Sequence, residues 1–280
     1  MNSIVNRRRN PSLNWSRNSK LINLALALLA VALPGSLSAQ TTPGIGTSGV
    51  AAPATPISAW RKEYDERLQV DFGWLGRFKE ANLALMPPRA TEDRVVFMGD
   101  SITEIWKIEG PKGSFPNKPF INRGISGQTT PQMLVRFRQD VIDLKPKVVV
   151  ILAGTNDLAG NTGPMTIEET ESNLASMADL ASAHHIRVVL CSVLPTVDFP
   201  WIPGLKPAPK VLALNAWIKS YAREKGYVYV DYHSAMRDEH DGLPAALSED
   251  GVHPTPAGYA VMAPLAEAGI EQALKQPAAK

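Results

Sequence analysis

The chain has 280 residues, 44% of them hydrophobic and 20% charged, and its formal net charge is +2. This composition predicts one sizeable globular domain and excludes a chain kept unfolded by excess charge. Beyond the first 39 residues the basic residues are scattered, which disfavours a nucleic-acid-binding face, and the single cysteine, Cys191, excludes an intramolecular disulfide.

The first 39 residues have the pattern of a secretory signal peptide. Their charged side chains are all basic: Arg7, Arg8, Arg9, Arg17 and Lys20. A mostly apolar run at 21–33 follows, and then small residues at 35–39, an order typical of cleaved export signals. The run would form a helix of roughly 20 Å, shorter than the roughly 30 Å core of a bilayer. We therefore expect cleavage near Ala39, a periplasmic or secreted protein, and no stable membrane anchor after cleavage.

Cleavage would also change the charge balance of the protein. Without the five basic residues of the leader, 24 basic side chains face 27 acidic ones, which is a net charge of −3. Residues 40–57 are rich in Thr, Gly, Ala and Pro without any period, which predicts a flexible linker. Residues 58–280 then remain for one folded domain.

Large apolar side chains follow the predicted linker at spacings that fit amphipathic helices. They are Trp60, Tyr64, Leu68, Trp74, Leu75 and Phe78. We expect one or two helices here that pack onto the core and lead the chain into the domain.

Short β-branched runs then alternate with helical patterns. The runs lie at 95–98, 120–121, 148–152, 188–190 and 228–230. Such apolar runs are typical of strands in a parallel sheet that is covered on both faces, and Cys191, after the fourth run, is expected to be a buried strand residue. Helix starts are marked by Thr130 with Pro131, Thr166 with Glu169, and Thr255 with Pro256. The sequence therefore predicts an α/β fold, a three-layer α/β/α sandwich with a five-stranded parallel sheet.

Polar and glycine-containing segments follow the predicted strands, at the edge where parallel sheets bind their ligands. Residues 99–101 follow the first run, 122–127 the second and 154–157 the third, and a fourth segment, 250–254, lies near the C-terminus. They read Gly-Asp-Ser, Asn-Arg-Gly-Ile-Ser-Gly, Gly-Thr-Asn-Asp and Asp-Gly-Val-His-Pro. Each alone is an ordinary turn, but the four in this order are much more specific.

Together these segments resemble the four blocks of the SGNH/GDSL hydrolases, which supply a serine, a glycine, an asparagine and a histidine. The resemblance covers about 95–265. The stretch 122–156 is most similar to the platelet-activating-factor acetylhydrolase-like branch and to bacterial carbohydrate acetylesterases. The resemblance implies the flavodoxin-like SGNH hydrolase fold for 58–280, and a carboxylic ester hydrolase with a serine nucleophile.

The resemblance also implies roles for five residues. Ser101 would be the nucleophile, and Asp250 and His253 would complete the catalytic triad. The oxyanion hole would comprise the Ser101 and Gly127 amides with the Asn156 side chain. The residue chemistry agrees, because serine needs a base within about 3 Å and free imidazole, with a pKa of about 6.5, suits that work. The implied reaction forms an acyl-serine intermediate and requires no metal or organic cofactor.

The expected substrate is a small-molecule or saccharide ester of a short acyl group, such as an acetylated carbohydrate. The sequence has no long apolar lid helix of the kind that a triglyceride lipase uses. The Pro-rich segment 195–210 follows the fourth strand and carries Phe199 and Trp201, which we expect to line the substrate pocket together with Trp106. A lysophospholipase or arylesterase of the same family, or an inactive carbohydrate-binding relative, is the alternative.

Two other protein classes are disfavoured. A flavodoxin-like cofactor binder would need a phosphate-binding turn after the first strand, where Asp100, which is expected to hold the turn, would repel a phosphate. An esterase of the α/β-hydrolase fold would need the second glycine of the nucleophile elbow, and the sequence has Thr103 at that position.

The remaining polar residues of the strand-end segments are expected to have structural roles. Arg123 and Gln128 are predicted to be solvated loop residues, and Asp157 is predicted to support the neighbouring asparagine. His233 and His240 lack metal-ligand spacing with any neighbour, so we expect both to be structural.

Overall fold

Five parallel strands form the centre of the protein in the computed structural model, which describes residues 59–277. The strands are β1 (Val95–Gly99), β2 (Phe120–Gly124), β3 (Val148–Leu152), β4 (Arg187–Cys191) and β5 (Val228–Val230). Their order across the sheet is β2-β1-β3-β4-β5, and every neighbouring pair is parallel. Each of the five predicted runs falls inside one of these strands.

The central strands are apolar because both faces of the sheet are covered. Every residue of β1 and β3 is buried, as expected for a parallel sheet. The register pairs Gly99 with Gly124 on one side and with Leu152 on the other. The carboxyl ends of these three strands therefore lie together at one edge. Cys191, at the end of β4, is buried as predicted, and burial raises the pKa of its thiol to about 12.

Helices connect the strands and cover the sheet. In the described part of the chain they are α1 (Ala59–Val70), α2 (Lys79–Ala84), α3 (Ser101–Ile105), α4 (Thr130–Asp140), α5 (Thr155–Leu158), α6 (Ile167–Ala183), α7 (Ala208–Lys225), α8 (Tyr232–Met236) and α9 (Pro256–Lys275). A short 3-10 turn, Ile142–Leu144, precedes β3. Thr166 caps α6 in a capping box with Glu169, and Thr255 caps α9, both as predicted.

Two hydrophobic clusters lie on opposite faces of the sheet. One joins the sheet to α4, α6 and α7 through side chains such as Phe137 and Leu214. The other joins it to α3, α8 and α9 through side chains such as Ile102 and Met262. Successive residues of β1 contribute to the two clusters in turn, because side chains alternate across a strand. The predicted three-layer α/β/α sandwich is confirmed.

Only some of the large apolar residues at the start of the domain lie in helices, although their spacing predicts helices for all of them. Trp74, Leu75 and Phe78 lie in the irregular segment between α1 and α2. The Asp71 carboxylate accepts the backbone N–H groups of Leu75 and Gly76 over 2.8 Å and 3.1 Å. This local turn competes with helix continuation, as short acidic side chains often do.

The predicted signal peptide at 1–39 and the predicted linker at 40–57 both lie outside the described residues. The domain predicted for 58–280 is described except for its first residue and its last three. Among the helices of residues 59–277, none is both long enough and apolar enough to cross a bilayer.

Candidate active site

The hydroxyl of Ser101 and the imidazole of His253 meet at the carboxyl edge of the sheet, although 152 residues separate them. Oγ of Ser101 lies 2.9 Å from Nε2 of His253. On the other side of the ring, Nδ1 lies 2.6 Å from Oδ2 of Asp250. In this geometry an imidazole is able to take the serine proton while the carboxylate fixes the orientation of the ring.

One turn, at 250–254, presents both the imidazole and the carboxylate. Oδ1 of Asp250 accepts the backbone N–H groups of Val252 and His253 over 2.9 Å and 2.8 Å. The hydroxyl of Ser248 donates to the carbonyl of His253 over 2.8 Å. Burial alone would raise the pKa of Asp250, but hydrogen bonds from the His253 ring and from these backbone groups outweigh it and lower the pKa to about 2. Asp250 is therefore ionised at neutral pH.

Ser101 is the first residue of α3, and Asp100 caps this helix. Oδ1 of Asp100 accepts the N–H of Ile102 over 2.9 Å, so Asp100 holds the turn as predicted. The hydroxyl of Tyr259, from α9, donates to the carbonyl of Ile102 over 2.7 Å. The second carboxylate oxygen, Oδ2, is buried with no hydrogen-bond partner among the described residues. Burial raises the pKa of Asp100 to about 7, although the Ile102 N–H lowers it.

Gly127 lines the same cavity as Ser101 and His253. Its φ of +79° lies in the left-handed region, which favours glycine. A Cβ at this position would also lie 2.9 Å from ring carbons of both Trp60 and Tyr64. The Gly127 carbonyl lies 2.9 Å from the Tyr64 hydroxyl, which donates to it. Backbone conformation and close packing therefore both require glycine here.

Asn156 belongs to the short helix α5 and lines this cavity too. Its Nδ2 donates to the carbonyl of Gln128 over 3.0 Å. Oδ1 of Asn156 accepts a hydrogen bond of 2.9 Å from Nδ2 of Asn161. Nδ2 of Asn161 also donates to the Gly127 carbonyl over 3.1 Å. These bonds fix the plane of the Asn156 amide and leave one of its hydrogens for a ligand. No sequence motif marks Asn161, and sequence reasoning missed it.

The carboxylate of Asp157 hydrogen-bonds to Thr130 and not directly to Asn156. This carboxylate accepts the backbone N–H of Thr130 over 3.0 Å and 3.1 Å, and it also accepts the Thr130 hydroxyl. Burial raises the pKa of Asp157 to about 6, and the Thr130 hydrogen bonds oppose that rise. Asp157 instead ties α5 to the first residue of α4.

The prediction that Arg123 and Gln128 are solvated is wrong. Arg123 is 5% exposed and Gln128 is 1% exposed. The guanidinium of Arg123 donates twice to Oδ1 of Asn82, over 3.0 Å and 2.8 Å, and lies 4.7 Å from the centre of the Phe78 ring. Nε2 of Gln128 donates to the carbonyl of Gly73 over 2.9 Å. Partners from the segment ahead of β1 therefore satisfy both polar groups inside the protein.

Arg136 is fully buried and connects the end of β1 to the loop that carries Gly127. Its Nε donates to Oε1 of Gln128 over 2.6 Å, and its Nη2 donates to the carbonyl of Gly99 over 3.2 Å. Asp140, equally buried, offsets the charge with an Nη1 to Oδ2 distance of 3.1 Å. Because Gly99 ends β1 just before Ser101, Arg136 joins the strand that carries the serine to the loop that carries Gly127.

A cavity of about 240 Å³ opens at this edge of the sheet. Its lining residues are Trp60, Ser101, Ile105, Ser126, Gly127, Asn156, Asn161, Trp201 and His253. The ring of Trp201 lies 6.2 Å from that of His253. Of the three aromatic residues predicted to line the pocket, Trp201 is therefore the one that borders this cavity. Phe199 is fully buried and stacks on Trp201 with 5.1 Å between ring centres.

Trp106 lies in the core rather than at this cavity. It is 2% exposed and stacks on Tyr259 with 5.3 Å between ring centres. Its Nε1 donates to Oγ of Ser114 over 2.8 Å. Because this partner satisfies the indole N–H, the whole side chain can be buried, and Trp106 is not part of the candidate pocket.

Trp60, Ile105 and Ser126 also line the cavity, although the sequence did not mark them as site residues. Trp60 is 46% exposed, contrary to its predicted packing onto the core. The hydroxyl and the backbone N–H of Ser126 both donate to Oε2 of Glu104. Burial raises the pKa of Glu104, but these bonds and the nearby Arg77 outweigh it, so the pKa is lowered.

His233 and His240 follow β5, and neither lines the cavity that contains Ser101. His233 is 5% exposed in α8, and burial lowers its pKa. The side chain of His240 is exposed beside Glu239. Within residues 59–277, no group of three or more His, Cys, Asp or Glu side chains is arranged to hold a metal ion.

Residues 97–261 match the sequence profile of the GDSL-like lipase/acylhydrolase family. The chain belongs to this family. Its structure is similar to that of a GDSL-like lipase from Bacteroides thetaiotaomicron, with a TM-score of 0.70 and 46% identity, over 72% of this chain and 100% of that chain. These findings confirm the family resemblance drawn from the four strand-end segments.

Two curated relatives of this GDSL family member are named for ester hydrolysis. An acetylxylan esterase from Geobacillus stearothermophilus is 27% identical over 214 residues, which are 64% of this chain and 95% of that protein. Platelet-activating factor acetylhydrolase IB subunit alpha2 from Homo sapiens is 26% identical over 139 residues, which are 48% of this chain and 57% of that protein. The chain is a hydrolase of a family that includes esterases and acylhydrolases.

Proposed function

We propose that this GDSL-family protein is a serine ester hydrolase that removes short acyl groups, acetyl above all, from a polar alcohol such as a carbohydrate. One observation carries the proposal: Ser101 Oγ lies 2.9 Å from Nε2 of His253, whose other nitrogen lies 2.6 Å from Asp250. Serine alone is a weak nucleophile at neutral pH, and an oriented imidazole supplies the base that it needs.

In the proposed reaction, His253 takes the proton of Ser101 as Oγ attacks the carbonyl carbon of the ester. The backbone N–H groups of Ser101 and Gly127 and Nδ2 of Asn156 would stabilise the oxyanion that forms. When the tetrahedral intermediate collapses, the bond to the alcohol oxygen breaks and the alcohol leaves with the proton from His253. Water then attacks the acyl carbon with His253 again as the base. The bond from that carbon to Oγ of Ser101 breaks, and His253 returns the proton to Oγ as the carboxylic acid leaves.

The hydrogen bonds around the proposed oxyanion donors support these roles. Asn161 donates to both the Gly127 carbonyl and Oδ1 of Asn156, and Tyr64 donates to the Gly127 carbonyl as well. Donors that are fixed before the reaction begins need no reorganisation when negative charge develops. We therefore assign Asn161 and Tyr64 as positioning residues for the oxyanion hole.

The size of the cavity supports a short acyl group. About 240 Å³ is available beside Ser101, which suits an acetyl ester with part of its alcohol better than a long acyl chain. Acetyl esters also appear in the names of the Geobacillus and human relatives. A lysophospholipase or arylesterase of the same family is the second candidate, and a steep preference for long acyl chains or for aryl leaving groups would favour it.

A panel of esters tests the proposal. The wild-type chain and the variants Ser101→Ala and Ser176→Ala are assayed on acetyl, butyryl, octanoyl and dodecanoyl p-nitrophenyl esters and on an acetylated xylo-oligosaccharide. Ser176 is the matched control, because its hydroxyl donates to the Ser172 carbonyl within α6. We expect acetyl and butyryl esters to give the highest kcat/KM and Ser101→Ala alone to lose turnover. A wild-type chain that hydrolyses none of these esters would contradict the proposal and favour the inactive carbohydrate-binding relative.

We also propose that residues 1–39 direct export and that the mature chain begins near Gln40. The basic start, the apolar run at 21–33 and the small residues at 35–39 support this assignment. N-terminal sequencing of protein recovered from the periplasm or medium tests it. An intact N-terminus on protein retained in the cytoplasm would contradict it.

A further inference from the structure

Helix α1 lies ahead of residues 97–261, the part of the chain that matches the family profile, yet it contributes to the candidate active site. Trp60, in its first turn, lines the cavity that also contains Ser101 and His253. The packing is close, since a Cβ on Gly127 would lie 2.9 Å from Cζ2 of Trp60. Half of this indole nevertheless remains exposed, although burial would be the favourable state for so large an apolar side chain.

Tyr64 holds α1 in this position. It is 2% exposed and stacks against Trp60 with 5.1 Å between ring centres. Its hydroxyl donates to the Gly127 carbonyl over 2.9 Å and lies 3.0 Å from Oε1 of Gln132 in α4. Burial raises the pKa of Tyr64 to about 12, so this hydroxyl remains a donor throughout the physiological pH range. The position of Trp60 is therefore coupled to the backbone of the Gly127 loop.

A second indole borders the cavity near the imidazole. Trp201 is 37% exposed, its ring lies 6.2 Å from that of His253, and the buried Phe199 stacks on it. Trp60 thus lies beside the Gly127 loop and Trp201 lies beside His253, with Ser101 lining the same cavity. Flat, half-exposed aromatic rings are suited to the C–H faces of a pyranose ring, while the hydroxyl groups of the sugar remain in water.

We propose that Trp60 and Trp201 contact the sugar ring of an acetylated saccharide, and that α1 is a specificity-determining part of the active site. This inference rests on the proposed esterase function and names its substrate class. Trp60 contacts the alcohol part of the ester, so it acts on the binding of saccharide esters. Tyr64 acts through Gly127 instead, so it affects the chemical step for every ester.

Two substrates separate these effects: ethyl acetate, whose alcohol part has no ring for an indole to contact, and an acetylated xylo-oligosaccharide. The variants are Trp60→Ala, Trp60→Phe and Tyr64→Phe. Phe72→Ala is the matched control, because Phe72 is a similarly exposed aromatic residue of the same N-terminal region and does not line the cavity.

For Trp60→Ala we expect kcat/KM on the saccharide ester to fall about tenfold, mostly through KM, which is the scale of one aromatic contact. Trp60→Phe should recover part of that loss, the loss on ethyl acetate should be clearly smaller than the loss on the saccharide ester, and Phe72→Ala should match the wild type on both substrates. For Tyr64→Phe we expect kcat to fall by the same factor, about three- to tenfold, on both substrates without a change in KM. A lower kcat in a fully folded variant is the effect expected from losing one hydrogen bond to the Gly127 loop. General destabilisation would instead lower the amount of active enzyme in proportion to the loss of folded protein, which circular dichroism measures.

A binding experiment keeps the inference testable if the esterase assignment fails. Isothermal titration of the acetylated xylo-oligosaccharide into Ser101→Ala measures affinity without turnover. Adding Trp60→Phe to this variant should raise the Kd about threefold, and adding Trp60→Ala should raise it about tenfold. A wild-type chain that hydrolyses no ester but shows this Trp60-dependent binding would contradict the esterase proposal alone. Equal affinity with and without Trp60, or equal losses on both substrates in Trp60→Ala and Trp60→Phe, would overturn the inference.

Discussion

Asn161 donates a hydrogen bond of 2.9 Å to Oδ1 of Asn156 and thereby determines which way the Asn156 amide faces. An asparagine amide has one acceptor oxygen and two donor hydrogens. With the oxygen held by Asn161 and one hydrogen on the Gln128 carbonyl, the remaining hydrogen is left for the cavity that Asn156 lines. A neutral side chain is thus prepared as a donor to the proposed oxyanion.

Asn156→Ala should lower kcat by about 10² to 10³ on p-nitrophenyl acetate, because removing one oxyanion donor has that effect in known serine hydrolases. The KM of the variant should stay close to that of the wild type, since the oxyanion forms only after the substrate has bound. Steady-state kinetics with circular dichroism as a folding check measures both quantities. A rise in KM with normal kcat would make Asn156 a binding residue instead.

Asn161→Asp should damage the site more than Asn161→Ala. The wild-type Nδ2 faces two acceptors, Oδ1 of Asn156 and the Gly127 carbonyl, and a carboxylate in its place would repel both. We expect kcat to fall about tenfold for the alanine variant and further for the aspartate variant, with thermal stability falling in the same order. Equal kinetics in the two variants would show that Asn161 does not orient the Asn156 amide.

Arg136→Met should destabilise the protein by about 3–5 kcal/mol, since it leaves the buried carboxylate of Asp140 without its charge partner. Chemical denaturation measures the free energy of unfolding. Arg138→Met, an exposed position on the same helix, is the control and should lie within about 0.5 kcal/mol of the wild type. A loss below about 1 kcal/mol for Arg136→Met would contradict the importance of this buried pair.

Asp100→Asn should stabilise the protein increasingly as pH rises from about 4 to about 7. Burial raises the pKa of Asp100 from 3.8 to about 7, so the folded state binds more protons than the unfolded state between these values and wild-type stability falls with rising pH. An asparagine at this position cannot ionise, so the cost of a buried negative charge is absent, and its Oδ1 still accepts the Ile102 N–H.

Thermal unfolding of the wild type and Asp100→Asn across this pH range tests the sign. Asp250→Asn is the contrast, because the pKa of Asp250 is lowered to about 2. The stabilising contribution of the ionised Asp250 carboxylate is present above about pH 4 and is lost as the pH falls towards about 2. A stability difference between Asp100→Asn and wild type that stays constant from pH 4 to 8 would contradict the effect of burial on the pKa of the Asp100 carboxylate.

The parts of the structure that depend on local patterns were predictable from the sequence. Buried parallel strands appear as continuous apolar runs, and capping residues mark helix starts, so β1, β3 and the beginning of α9 were all foreseen. β2 was predicted as only two residues but extends to Gly124. Its second half contains Asn122 and Arg123, whose polar side chains find hydrogen-bond partners outside the strand.

The parts that depend on distant partners were not predictable. Arg123 and Gln128 looked like solvated loop residues because the groups that satisfy them, Asn82 and Gly73, lie 41 and 55 residues away. Trp60 gave no functional signal for the same reason, since its place beside Gly127 depends on a contact between Tyr64 and Gly127 across 63 residues. The proposed roles of Ser101 and His253 come from short sequence motifs, whereas the 2.9 Å distance between their side chains could be read only from the folded structure.

The most direct test of the central claim is covalent labelling with diethyl p-nitrophenyl phosphate, read by intact-protein and peptide mass spectrometry. Attack by the activated hydroxyl forms a bond from Oγ to phosphorus and releases p-nitrophenolate. We predict one diethylphosphoryl group per chain, located on Ser101, with loss of esterase activity in proportion to labelling and no label in Ser101→Ala. A label on any other residue, or ester hydrolysis that persists in Ser101→Ala, would contradict Ser101 as the nucleophile.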